Sequence, residues 1–275
     1  MKNILKKISR LPKSISKSLG FKEKNRHSKI NVYIISYPKC GRTWLRILIG
    51  KALCDKYRLP EELMLDPYTL TSKAGILRTK FTHDVSSHVA GNDYRKLKQD
   101  KSIYRDKKVI FLVRNIKDVL VSAYFHTTKR KKIFKGSISE FIRSNIYGAK
   151  KIVTFYNIWY SNMNVPRDFM LVRYEDLHAD AKGVLSGVLK FMGVEDAQEN
   201  ILEDAVAFSK FENMKKLEKS KAFKSFKMNP GNENDLESFK VRKGKVDGYK
   251  EYLSEEDIKY IDSVIDEMGC PFCKK

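Results

Sequence analysis

Apolar positions along the chain fall into two alternating periods. Val32, Tyr33, Ile34 and Ile35 form a short continuous run rich in β-formers, which predicts a buried strand. Trp44, Leu45, Leu48 and Leu53 then recur at helical spacing and predict a helix over Thr43 to Tyr57. Ser-Tyr-Pro-Lys-Cys-Gly, residues 36–41, joins the two as a turn. Val109 to Val113 is a second buried strand, followed by a helix from about Lys117 to Lys129, and Phe169 to Val172 is a third strand. Strands separated by helical crossovers pair in parallel, because only a long connection returns the chain to the same end of the sheet. The expected class is therefore α/β, with a central parallel sheet flanked by helices. Lys215 to Val246, rich in Lys, Glu, Asn and Ser, predicts a long mobile loop, and loops of that length commonly serve as lids.

The first residues follow a different pattern. Ile4, Ile8, Leu11, Ile15 and Leu19 are helically spaced among lysines, and residues 1–29 carry ten Lys or Arg against the single acid Glu23. This fits a basic amphipathic segment in peripheral contact with an anionic membrane, and equally a disordered tail, with Pro12 weakening any helix. Two regions result: the segment 1–29 and a domain over 30–275. The chain of 275 residues has a net charge of +22, with 42% hydrophobic and 32% charged residues. That balance is globular, and the excess charge suits nucleic acid, an anionic surface or a highly charged small ligand. No zinc-finger, RRM or helix-turn-helix signature accompanies it, which argues against nucleic acid. An apolar run of about eighteen residues is absent, as is a signal-peptide core, so the expected location is the cytoplasm. Cys270 and Cys273 form a terminal CxxC that lacks the further ligands zinc needs and are expected to be incidental thiols; Cys40 and Cys54 are not expected to pair with them in disulfides.

A strand that ends in a Gly-containing turn and enters a helix offers unsatisfied backbone N–H groups and the positive end of the helix dipole. It is therefore an anion site. Gly41 permits close backbone approach, Lys39 adds a full charge and Thr43 a hydroxyl. The order differs from GxxxxGK[ST], since Lys39 precedes Gly41. YPKCGRTWL, residues 37–45, resembles instead the 5′-phosphosulfate loop of the sulfotransferase superfamily, usually YPKSGTTWL, with Cys40 at a common Ser and Arg42 at a common Thr. VIFLVRNIKDVLVSAYF, residues 109–125, resembles the family's 3′-phosphate motif, IYLxRNPKDxxxSxY, with Ile116 at the usual Pro. RKGKVDGY, residues 242–249, resembles the RKGxxGDW segment in its first half and departs from it at Asp247, Gly248 and Tyr249. LVRYEDL, residues 171–177, and FSKFENMK, residues 208–215, resemble the family's YEDL strand end and TSFQEMK. Taken in their order along the chain, the five segments are similar to a sulfotransferase domain of the cytosolic or bacterial type.

The resemblance implies a three-layer P-loop-like fold. It implies transfer of a sulfuryl group from the co-substrate 3′-phosphoadenosine 5′-phosphosulfate (PAPS) to an acceptor hydroxyl or amine, with adenosine 3′,5′-bisphosphate released and no metal required. Donor contacts are implied for Lys39, Cys40, Gly41, Arg42, Thr43 and Trp44 in the loop, and for Arg114 and Ser122 at the 3′-phosphate. Tyr174, Ser209 and Phe211 would surround the adenine, and Arg242, Lys243 and Gly244 would close over the nucleotide. In-line transfer between two oxygens depends on positioning and charge stabilisation: a cation at the leaving phosphate, clamps on the nucleotide, and a base for the acceptor's proton. Lys39 is placed for the first task. For the base, ILRTKFTHDVSSH, residues 76–88, resembles the family's Lys-Thr-His stretch after a short strand, with Phe81 at the Lys position. His83 is the candidate and Lys80 an assistant, with His88 and His126 as competitors. The acceptor is a small molecule, a glycan or a lipid, held between walls from Leu59 to Ser72 and from Lys215 to Lys240. Two other functions stay open here: a P-loop-like nucleotide kinase, which should carry a Walker A lysine and a magnesium-binding Asp, and a basic lipid- or nucleic-acid-binding protein.

Overall fold

The computed structural model describes residues 27–223, 228, 231–232 and 234–273. In chain order come β1 (Val32–Ser36), α1 (Arg42–Tyr57), α2 (Pro67–Lys73), β2 (Thr79–Thr82), β3 (Lys108–Val113), α3 (Ile116–Phe125), α4 (Ile138–Arg143) and α5 (Ala149–Ser161). They are followed by β4 (Asp168–Arg173), α6 (Tyr174–Ala179), α7 (Ala181–Phe191), α8 (Glu199–Phe208), α9 (Phe211–Lys219) and α10 (Glu255–Met268). All strand pairs are parallel, in the order β2-β1-β3-β4. Every residue of β1 is buried, as a strand covered by helices on both faces requires. Trp159, Tyr156 and Phe155 of α5 pack on Phe111 of β3. Burying one Phe-sized side chain stabilises by about 1.5–3 kcal/mol, so this cluster fixes α5 firmly to the sheet.

From β1 the chain turns to β2 on one side and then crosses to β3 on the other. The strand order thus reverses between β1 and β3. In open parallel sheets the crevice beyond the carboxyl ends of such a pair is where ligands bind. Residues 37–41 and Arg114 follow those two strand ends.

The structure departs from the sequence expectation in four places. The helix expected to reach Lys129 is α-helical only to Phe125 and continues as a π-helical turn, His126–Arg130. There the Thr127 and Thr128 hydroxyls donate to the carbonyls of Ala123 at 2.9 Å and Tyr124 at 2.8 Å, the back-bonding that loosens a helix. The loop expected from Lys215 begins as α9, because Met214 and Leu217 pack on the core. Residues 27–29 join the domain and not the tail: His27 Nε2–H donates to the Ile103 carbonyl at 2.7 Å, and the Tyr33 hydroxyl donates to its Nδ1 at 2.5 Å. The amphipathic pattern of residues 1–26 lies outside the described residues. Finally, Cys270 and Cys273 are not free thiols but a disulfide, since the short 3-10 turn Pro271–Cys273 brings their Cα atoms to 5.2 Å. Cys40 and Cys54 are free and buried. Among the described residues no helix is long and apolar enough to cross a membrane.

Candidate active site

The turn after β1 is held in an unusual conformation. Lys39 has φ of 77° and Gly41 of 92°. The first is disfavoured for a side chain, and a Cβ at position 41 would lie 2.4 Å from the Tyr174 ring. Past this turn, α1 starts with no side-chain cap and no acid in its first turn. Its leading N–H groups and dipole are thus left for an anion. Cys40 turns the other way: it is fully buried, and its thiol faces the Tyr156 hydroxyl at 3.3 Å. That hydroxyl accepts from the Arg114 N–H and donates to the Arg114 carbonyl, both at 3.0 Å. One phenol therefore pins the ends of β1 and β3 together. Burial pushes the Cys40 thiol up to about 12, so it is inert, and only its backbone is available to a ligand.

A cavity of about 420 Å³ opens beyond the strand ends, lined from the first turn by Lys39, Gly41, Arg42, Thr43 and Trp44. Arg114 and Ser122 reach it from β3 and α3. The Arg114 guanidinium lies 4.1 Å from the centre of the Tyr174 ring and donates to the carbonyls of Lys39 at 3.4 Å and Lys245 at 2.9 Å. It pairs with Asp118 at 3.5 Å, while its Nε is buried without a partner. Asp118 in turn accepts the N–H groups of Asp247 and Tyr249, both at 3.0 Å, and so latches that loop over the cavity. Gly244 has φ of 61° beneath Phe211, where a Cβ would come within 2.6 Å of the ring. Trp44 Nε1 donates to Ser209 Oγ at 3.1 Å, and the indole stands edge-on to Tyr174. Arg242 lies between the rings of Phe125 and Tyr252, at 4.4 and 4.9 Å, and pairs with Glu237 at 3.0 Å. Lys243 lines the cavity while paired with Glu251.

His83 faces the same cavity from the end of β2. Its Nδ1–H donates to the Ser36 carbonyl at 2.9 Å, which leaves Nε2 as the accepting nitrogen. Burial, and then the charge of Arg42, lower its pKa well below the usual imidazole range, so the proton-accepting form prevails at neutral pH. His126 lines the cavity as well, but among the described residues its buried Nδ1 has no partner to fix its tautomer. His88 is buried beneath the cavity wall and does not line it.

The residue after His83 is firmly anchored. Asp84 accepts from the Tyr104 hydroxyl at 2.9 Å and Trp159 Nε1 at 3.1 Å, and pairs with the buried Lys101 at 2.6 Å. These contacts hold Asp84 and Val85 at positive φ, 45° and 64°. Asp84→Asn leaves Lys101 an uncompensated buried charge. The unfolding free energy from urea denaturation is expected to fall by about 3–5 kcal/mol, with kcat falling more than bisphosphate affinity. Wild-type stability and turnover would show that the loop is held by other means.

Not every expected residue is brought to the site. Lys80 is exposed and does not line the cavity, because the period of two along β2 turns it away from the face of Thr79 and Phe81. No residue from Leu59 to Ser72 lines the cavity; Met64, Leu65 and Leu70 pack into the core. Among the described residues of the other expected wall, only Lys240 does so. Two groups had no assigned role: Asp118, inside the matched RNIKD motif, and the pair of Arg130 with the fully buried Glu218 at 3.3 Å. Burial, and then Arg130, lower the Lys39 pKa to about 7, so this cluster is short of negative charge.

Comparison with known proteins points the same way as the geometry. The sulfotransferase domain model matches residues 29–269. Cytosolic sulfotransferase 5 of Arabidopsis thaliana is 25% identical, over 90% of this chain and 82% of its own. Flavonol 4′-sulfotransferase of Flaveria chlorifolia is 26% identical, over 86% and 78%. Among solved structures, mouse sulfotransferase SULT7A1 complexed with PAP (adenosine 3′,5′-bisphosphate) superposes with a TM-score of 0.61 at 19% identity, over 87% of this chain and 84% of that one. Retinol dehydratase in a complex with retinol and PAP gives 0.63 at 16%, over 86% and 80%. At such identities the solved structures establish the shared fold.

Proposed function

The chain belongs to the sulfotransferase domain family, and on that premise we propose how its cavity moves a sulfuryl group from PAPS to an acceptor hydroxyl or amine. The donor supplies the sulfuryl group and departs as adenosine 3′,5′-bisphosphate. Supporting its fit are the uncapped start of α1, the close approach allowed at Gly41, and the buried, unpartnered Nε of Arg114. One juxtaposition carries the reading: a positively charged helix start beside a histidine whose Nδ1–H is already engaged.

His83 takes the acceptor's proton on Nε2, and the Ser36 carbonyl stabilises the imidazolium through Nδ1–H. Lys39 and the first N–H groups of α1 hold the charge that gathers on the leaving phosphate oxygen, where a buried donor is worth about 2.7–4 kcal/mol. Arg114 and Ser122 grip the 3′-phosphate. Trp44, Tyr174, Ser209 and Phe211 enclose the adenine, and Arg242, Lys243 and Gly244 close over the 3′-phosphate. The chemistry calls on no residue as a metal ligand. Relatives named for flavonols support a small-molecule acceptor over a glycan or lipid, and relatives named cytosolic support action in the cytoplasm.

Thermal stabilisation tests the donor site. Adenosine 3′,5′-bisphosphate without metal is expected to stabilise the protein well beyond ADP or ATP with magnesium, by about 2.7 kcal/mol at a hundred times its Kd. A preference for ATP with magnesium would favour a kinase instead.

A further inference from the structure

The CxxC after α10 has no part in the chemistry above, yet it is built into the scaffold of the donor cavity. Cys270 is buried, Cys273 is half-buried, and the Cys273 N–H donates to the Cys270 carbonyl at 2.9 Å. Between them, Phe272 packs on Phe111 of β3 and on Tyr160 of α5, each at 5.4 Å between ring centres, and stacks on Phe169 of β4. Phe111 in turn meets Tyr156, whose hydroxyl ties Cys40 to Arg114. Two side chains grip the backbone of the turn. Arg173, at the end of β4, donates to the Phe272 carbonyl at 2.7 Å. Asn157 of α5 donates to the carbonyls of Met268 at 3.0 Å and Gly269 at 2.6 Å. Each stands next to a residue that frames the cavity: Arg173 precedes Tyr174, which lies against Gly41 and Arg114, and Asn157 follows Tyr156.

We propose that Cys270 and Cys273 are a redox site, opened by a dithiol reductant, whose bond holds the donor cavity in its binding geometry, an effect that rests on the sulfotransferase reading of the cavity. An oxidoreductase carries its CxxC at a helix start, where the dipole favours a thiolate. Cys270 instead lies just past the end of α10, where the dipole opposes one, so the pair is a poor catalyst and suits a switch. In the cytoplasm proposed above, such a bond is opened and reclosed by other thiols. The dithiol's thiolate bonds to the half-buried Cys273 sulfur, and the Cys270 sulfur leaves and takes up a proton. The dithiol's second sulfur then displaces Cys273, which takes the other proton, and closes the reductant's own disulfide. Two electrons and two protons thus pass to the pair. Opening frees the turn, and with it Phe272 and the carbonyl that holds Arg173.

The test uses the full chain, prepared in air and then treated with dithiothreitol. Alkylation after denaturation should count two thiols before treatment and four after it. Isothermal titration is expected to give a Kd for adenosine 3′,5′-bisphosphate on the order of tenfold weaker in the reduced form. Reciprocity then requires saturating bisphosphate to lower the reduction potential of the pair, read against dithiothreitol, by about 30 mV. Cys273→Ser should keep the weak Kd with or without dithiothreitol. Four thiols in the air-prepared protein, a single Kd for both forms, or a Cys273→Ser variant that responds as the wild type does would each overturn the switch. If the variant fails to fold, the potential measured on the wild type decides alone. If the bisphosphate binds neither form, the sulfotransferase reading falls first and takes the coupling with it.

Discussion

Replacing His83 with alanine is expected to lower kcat by on the order of a hundredfold or more while bisphosphate affinity stays nearly intact. The ring reaches the cavity from the end of β2, and its Nδ1–H is held by the Ser36 carbonyl at the end of β1. Alanine therefore removes the proton acceptor without disturbing Lys39 or the start of α1. The pH profile carries a second signature. Since burial and Arg42 depress the imidazole pKa, the acid limb of kcat/KM for the wild type should lie well below the usual imidazole range. Above that limb the base is neutral and active, and on the acid side it is protonated and inactive. The limb should vanish in His83→Ala. Turnover equal to wild type would move the base elsewhere, with His126 the first to examine.

Arg114→Ala is expected to act on binding. Its guanidinium bridges the Lys39 and Lys245 carbonyls, rests on Tyr174 and neutralises Asp118. Truncation removes the proposed clamp on the 3′-phosphate and leaves the buried Asp118 carboxylate without its guanidinium partner. A loss of about 3 kcal/mol, or on the order of a hundredfold in bisphosphate Kd, follows. Turnover at saturation should change much less. Arg114→Lys should recover little, because an ammonium cannot span two carbonyls in a plane. Isothermal titration decides: an unchanged Kd for the alanine variant would remove Arg114 from the donor site.

Much of the scaffold was legible because buried parallel strands are continuous apolar runs, as in β1 and β3, and need no knowledge of their partners. The turn from Tyr37 to Thr43 was legible for a related reason: its backbone demands a glycine beside a charge over a short span. Side-chain direction was harder. Lys80 sits near His83 in sequence, but the strand's period turns it outward. Cys40 keeps its backbone in the turn, while the direction of its thiol, inward to Tyr156, left no mark in the sequence. The anchoring of Asp84 by Lys101 and Trp159, and of Glu218 by Arg130, joins distant segments whose local sequences hold no sign of each other. The π-helical turn that presents His126 depends on two threonine hydroxyls competing for carbonyls, a choice that hydrophobic spacing does not record.

The Tyr156 hydroxyl, bonded at once to the Cys40 thiol and to both backbone groups of Arg114, ties together the two turns proposed to take the phosphates. The scaffold is therefore a calliper set before any nucleotide enters. A nucleotide bearing anionic groups at both ends is gauged by its length as well as by its charge, and one phosphorylated at a single end spans only one jaw.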